Sequence, residues 1–167
     1  MSEAVEQLIE KMQEDLQSHQ ELASVLENKL DAMRHYDISR LEALTLSEQR
    51  LADVIGMSEG KRKEIIRRAT AEVFPARGDG RATAKELAAE VDEGYKGKLL
   101  MLSSMLLEVV EKVRRLNQIN KLASQKILGH FDQIFRIISQ TGNELGLYGR
   151  GGKKSVMEQN RLVDAMA

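Results

Sequence analysis

Residues 98–141 read KLLMLSSMLLEVVEKVRRLNQINKLASQKILGHFDQIFRIISQT, and their periodicity decides the fold. Leu99, Leu106, Val113, Asn120, Ile127 and Ile134 recur every seven residues; Leu102, Val109, Leu116, Ala123, His130 and Ile137 form a second column beside them. Two such columns place a continuous apolar stripe on one face of a long helix. A helix of that length cannot bury the stripe alone, so the rest of the chain must supply its cover.

The first 35 residues carry a matching pattern. Val5, Met12, His19, Leu26 and Met33 make one column, and Ile9, Leu16, Ala23 and Leu30 its neighbour. After a break at HYDIS, a second stripe runs through Leu41, Leu44, Leu51, Val54, Ile55, Ile65, Ile66 and Ala69. Its start is capped by Asp37, or by Ser39 with Glu42 three residues on. Gly56 and Gly60 weaken its middle, each by about 1 kcal/mol relative to alanine. FPARGDGRAT, residues 74–83, is a loop, and Thr83 with Glu86 forms a capping box for a short helix. Gly94 and Gly97 allow a turn or kink before the last element.

These spacings predict an all-α fold, an elongated antiparallel three-helix bundle over residues 1–141. Its long helices run at about 2–35, 38–73 and 98–141, with a short helix at about 83–92. Five of the twelve glycines fall at 142, 146, 149, 151 and 152. Residues 142–167 therefore read as a flexible Gly-rich tail, with room for one short amphipathic helix near the end.

Composition narrows the function. The chain has no cysteine, which excludes disulfides, thiolate metal sites and a cysteine nucleophile. Its N-terminus carries acids where a secretory signal carries cations, and no apolar run approaches the roughly 20 residues of a membrane span. A cytoplasmic protein without membrane insertion is expected. Residues 1–55 hold 5 Lys/Arg against 12 Asp/Glu, and the remainder is basic, as when an acidic first helix lies against basic later ones. The basic run GKRKEIIRR, 60–68, reads as a solvated helix face rather than a nucleic-acid patch. His19, His35 and His130 lack metal-ligand spacing, and no nucleophile is tied by spacing to a base. GRGGKKS at 149–155 lacks the first glycine and the Ser/Thr of a phosphate loop and follows a helix instead of a strand. No catalytic, metal or cofactor residue is assigned.

What remains is contact surface. Leu128, Phe131, Phe135 and Ile138 add an apolar stripe beside the heptad columns of the last helix, and serve either as core or as a face that a partner covers. Leu100, Met101, Met105 and Leu107 widen the helix start in the same way. Asn120 is a polar residue in the seam, of the kind that fixes register, and Asn117 stands one turn earlier as its partner or facing solvent. Tyr148 sits alone among the glycines and cations of GLYGRGGKKS, 146–155.

Four segments in this order resemble the FlgN-type flagellar export chaperones. They are the heptad helix with Glu21-Leu22, DISRLEALTLSEQRLADVIGMSEGKRKEII at 37–66, RLNQINKLASQKI at 115–127 and LYGRGG at 147–152. The resemblance implies a non-enzymatic chaperone of the flagellar type III secretion system. Such a protein binds the C-terminal helical segments of hook-associated junction proteins, keeps them from assembling early and delivers them to the membrane export gate. It also implies that Tyr148 matches the family's gate-docking tyrosine. The competing reading, from the residues alone, is a structural coiled-coil or adaptor protein that self-associates through its third helix.

Overall fold

A computed structural model describes residues 3–77 and 81–144. Among them the chain is all-helical: α1 (Glu3–Arg34), α2 (Ile38–Val73), a 3-10 turn (Pro75–Arg77), α3 (Ala84–Glu90) and α4 (Glu93–Glu144), with no strand. The chain divides into two compact units, Met1–Ala123 and Ser124–Ala167.

In the first unit α1 forms because nothing in Glu3–Arg34 breaks it; the stretch holds neither proline nor glycine, and Glu3 and Glu6 sit in the first turn, where the helix dipole favours acids. It ends in a Schellman motif. The Asp37 N–H donates to the Ala32 carbonyl at 3.0 Å and the Tyr36 N–H to the Met33 carbonyl at 3.3 Å. Tyr36 takes the left-handed conformation, φ 54°, that this motif demands. Asp37 then caps α2, its Oδ1 accepting from the Arg40 N–H at 3.0 Å, so of the two caps open in the sequence the chain uses Asp37.

α1 and α2 run in opposite senses. Arg68 donates to Gln7, Ser58 to Asp15, Lys29 pairs with Glu48, and Arg40 reaches Asp31. The first part of α4 follows α1 in the same sense: Tyr95 donates to Glu6, Lys112 pairs with Glu27, and Asn120 donates to the Leu26 carbonyl.

Their apolar stripes meet in two clusters. The larger joins Val5, Leu8, Ile9, Met12 and Leu16 of α1 to Leu99, Leu102, Leu106 and Val109 of α4, with Ala69 of α2 and Leu87 of α3. The smaller joins Leu22, Ala23 and Leu26 to Val113, with Leu51, Ile55 and Leu116 half-buried against them. Leu8, Leu26, Leu87 and Leu99 are fully buried. Each contributes roughly 2–3 kcal/mol by leaving water.

The short α3 is fixed by local chemistry. The Glu86 N–H donates to Thr83 Oγ1 at 3.2 Å, and the Thr83 N–H to the Glu86 carboxylate at 2.7 Å, completing the capping box. Arg77 also reaches Glu86 at 2.7 Å and lies over the Phe74 ring. Buried Thr70 accepts from the Ala82 N–H, tying the end of this loop to α2.

Two boundaries differ from the sequence expectation. α4 begins at Glu93, so Gly94 and Gly97 are helical rather than a turn. Tyr95, between them, packs against the larger cluster and bonds Glu6, and that tertiary gain exceeds the glycines' backbone cost. At the other end the helix reaches Glu144 and includes Gly142, three residues past the expected end at 141. α2 likewise stays helical through Gly56 and Gly60.

Candidate functional site

In α4 burial falls away along columns that the sequence pattern carries on. Leu99, Leu106, Val113 and Asn120 are buried, Ile127 is half-buried and Ile134 is 51% exposed. In the second column Leu102 and Val109 are buried, Leu116 and Ala123 half-buried, and His130 and Ile137 exposed. From Leu128 to Gln140 every residue is exposed.

That stretch is strongly two-sided. At 100° per residue, Ile127, Leu128, Phe131, Ile134, Phe135, Ile137 and Ile138 fall on one half of the helix, with His130 among them. Gln125, Gly129, Asp132, Gln133, Arg136, Ser139 and Gln140 occupy the other. The exposures are large: Leu128 65%, Phe131 45%, Phe135 67% and Ile138 61%. Residues 128–140 span roughly 20 Å at 1.5 Å per residue. Contiguous apolar surface of this size is unusual on a soluble protein and fits a long groove-and-helix contact better than an enclosed small-molecule site.

Of the residues picked out by sequence, Leu128, Phe131, Phe135 and Ile138 come together on this face. Ile134 and Ile137, placed in the seam columns by periodicity, belong to the same exposed face. Helix length could have revealed this. α1 has 32 residues and α4 has 52, about 48 Å against 78 Å, so the later α4 columns extend further than α1 can line. Tyr148 lies outside the described residues. Asn120 is 5% exposed and donates to the carbonyls of Leu26 at 3.0 Å and Leu116 at 2.9 Å. Its Oδ1 is buried without a hydrogen-bond partner. Asn117, three residues earlier, is exposed.

The other candidates hold ordinary structural roles. His19 Nδ1 donates to the Asp15 carbonyl at 2.7 Å and His35 Nδ1 to the Asp31 carbonyl at 2.9 Å, while His130, a core position by its column, is exposed. In the basic run, Arg62 reaches Asp15, Lys63 pairs with Glu59, Arg67 with Glu64, and Arg68 with Gln7. Such engagement of its cations leaves little of the free positive stripe that a phosphate backbone recruits. Among the described residues no three His, Cys, Asp or Glu side chains are grouped to hold a metal, and no helix is long and apolar enough to cross a membrane.

One feature had no local signal in the sequence. Asp15 is 3% exposed, yet it accepts from Ser58 Oγ and from the Arg62 guanidinium at 3.1 Å, with Lys11 Nζ at 3.6 Å. A buried carboxylate needs such partners. Glu14 and Asp15 together hold the Lys11 ammonium above its usual pKa; the hydrogen bond that Lys11 donates to Glu14 is the largest cause and burial opposes it.

Comparison with curated proteins and with solved structures returns no match. A family model described as FlgN protein matches residues 1–155, nearly the whole sequence. The chain belongs to the FlgN protein family.

Proposed function

We propose that this protein is a cytoplasmic flagellar export chaperone whose client site is the exposed apolar half of α4, centred on Leu128, Phe131, Phe135 and Ile138. Family membership supports the flagellar role and, with it, a non-enzymatic protein with flagellar partners. The observation that carries the client site is the unbroken exposure of residues 128–140 along columns whose earlier positions are buried or half-buried. The clients are the C-terminal helical segments of hook-associated junction proteins. An amphipathic client helix lays its own i, i+3, i+4 face along this stripe and leaves its polar side in water. Ordering the client on binding consumes part of the interaction energy, which keeps the complex reversible, as delivery requires. The fold reading that accompanies this function is a three-helix antiparallel bundle with α4 as its presenting helix.

Tyr148 is the proposed contact to the export gate. An aromatic ring offers a large contact area while freezing few rotamers. The Tyr148→Ala variant is expected to lose affinity for the purified cytoplasmic gate domain while helix content and client binding stay unchanged. Equal gate binding by variant and parent removes Tyr148 from the proposal.

Titration of the full chain with synthetic C-terminal segments of hook-associated proteins tests the client half. A 1:1 complex with a gain of helix signal is expected. The same exposed face could instead join two copies of this chain in a structural coiled coil. A tight dimer in light scattering that binds none of these segments would replace the chaperone reading with that one.

A further inference from the structure

α2 is built in two unequal halves. Its second half carries the buried Ala69 and Thr70, and Ile65, Ile66 and Val73 pack against the larger cluster. Its first half, residues 38–57, has no buried residue at all. Only Leu51 and Ile55 lean on the smaller cluster, while Ile38, Leu46, Val54 and Met57 point their apolar surface to solvent at 47–68% exposure. Leu41 and Leu44 are half-buried as well, and polar links add to them: Lys29 with Glu48, and Arg40 with Asp31 and Asn28. Exposed or partly exposed polar links of this kind contribute little, about 0–1 kcal/mol each.

The junction between the halves is marked twice. Ser58 and Arg62 are both bound to the buried Asp15, which fixes the start of the second half to α1. Around that anchor stand Gly56 and Gly60. A Cβ added at either would meet nothing within 4 Å, so close packing does not require glycine there. Two glycines in a helix interior without a steric reason lower the cost of interrupting the helix at that point.

We infer that α2 is hinged at Gly56–Gly60, so that residues 38–57 separate from α1 and α4 as one unit while residues 61–73 stay docked. The Asp15–Ser58–Arg62 cluster is the fixed side of the hinge. Opening uncovers Leu22, Ala23, Leu26, Val113 and Leu116, an apolar strip that the closed state keeps from water. Sub-global opening of this kind is how a protein exposes apolar surface without unfolding its main core.

Native-state amide hydrogen exchange on the full chain tests the hinge. Amides of 42–57 are expected to be protected at least tenfold less than those of 62–73, with a step between Gly56 and Gly60 and one shared denaturant dependence across 42–57. The Gly56→Ala/Gly60→Ala double variant is expected to raise protection of 42–57 by roughly tenfold and that of 62–73 much less. Gly129→Ala, whose Cβ also meets nothing within 4 Å, serves as a control and should leave both halves unchanged. Equal protection of the two halves overturns the hinge. So does a smooth decline toward residue 38 without a step, or a double variant that protects both halves equally. None of these readouts depends on a client.

Discussion

Tyr36 and Asn120 each carry a cost in the folded chain, one through its conformation and the other through its burial. Tyr36 occupies the left-handed C′ position of α1, where a β-carbon costs about 1 kcal/mol relative to glycine. Its ring is 64% exposed, so replacing it forfeits little packing. Tyr36→Gly is therefore expected to stabilise the protein by about 1 kcal/mol, seen as a higher urea midpoint at unchanged slope; a lower midpoint would show that the ring contributes more than its exposure suggests. Asn120 presents the opposite case, a well-placed residue with one unsatisfied atom. Its N–H bond to the Leu26 carbonyl ties α4 to α1 and its bond to Leu116 stays within α4, while the buried Oδ1 is desolvated without return. Removing both the polar atom and its penalty usually gains stability and loses specificity. Asn120→Leu should raise stability by about 1 kcal/mol in denaturant titration, at the expense of a unique α1–α4 register. A fall instead would mean that the two donated bonds outweigh the orphaned oxygen.

At the scale of elements, legibility in the sequence followed the range of the interaction. The caps at Asp37 and Thr83–Glu86 were readable because a cap bonds amides within three residues. The buried column Leu99, Leu106, Val113 was readable because periodicity reports which face of a helix is apolar. That same periodicity could not report that Ile134 and Ile137 would be exposed, since it carries no information on what covers a face. The α4 start was misread because the cost of Gly94 and Gly97 is local, whereas the compensation, Tyr95 against Glu6, spans 89 residues. Asp15 with Ser58, 43 residues apart, left no trace in the pattern. The capping box of α3 gives a pH prediction. The Thr83 N–H, the Arg77 guanidinium and the Thr83 hydroxyl hold the Glu86 carboxyl down at about 2 from its ordinary 4.5. A depressed carboxyl stabilises the fold above its unfolded value and loses that contribution as pH falls through the folded value. The α3 cap should therefore loosen between about pH 5 and 2, seen as a shift of the Thr83 amide resonance. In Glu86→Gln that shift should vanish; its persistence would assign the transition to another group.

At the scale of the whole molecule, the buried clusters and the proposed client face rest on different stretches of sequence. The buried clusters lie within the first unit, while the exposed apolar face of residues 128–138 adds nothing to either of them. Such a face is costly to keep in water and persists where a partner covers it. The separation makes the client proposal sharply testable. Phe131→Ser with Phe135→Ser removes two rings that are 45% and 67% exposed, so the folded chain loses little, within roughly 0.5 kcal/mol. If those rings anchor a client helix, each supplies the energy typical of an interface aromatic, about 2 kcal/mol, and the pair weakens binding by roughly a hundredfold or more. Calorimetric titration with a hook-associated C-terminal segment reads the binding, and thermal denaturation of the same sample reads the fold. Loss of binding at an unchanged melting temperature places the client on α4. A fall in melting temperature would instead place those rings in a core, and unchanged binding would move the client to another face of the bundle.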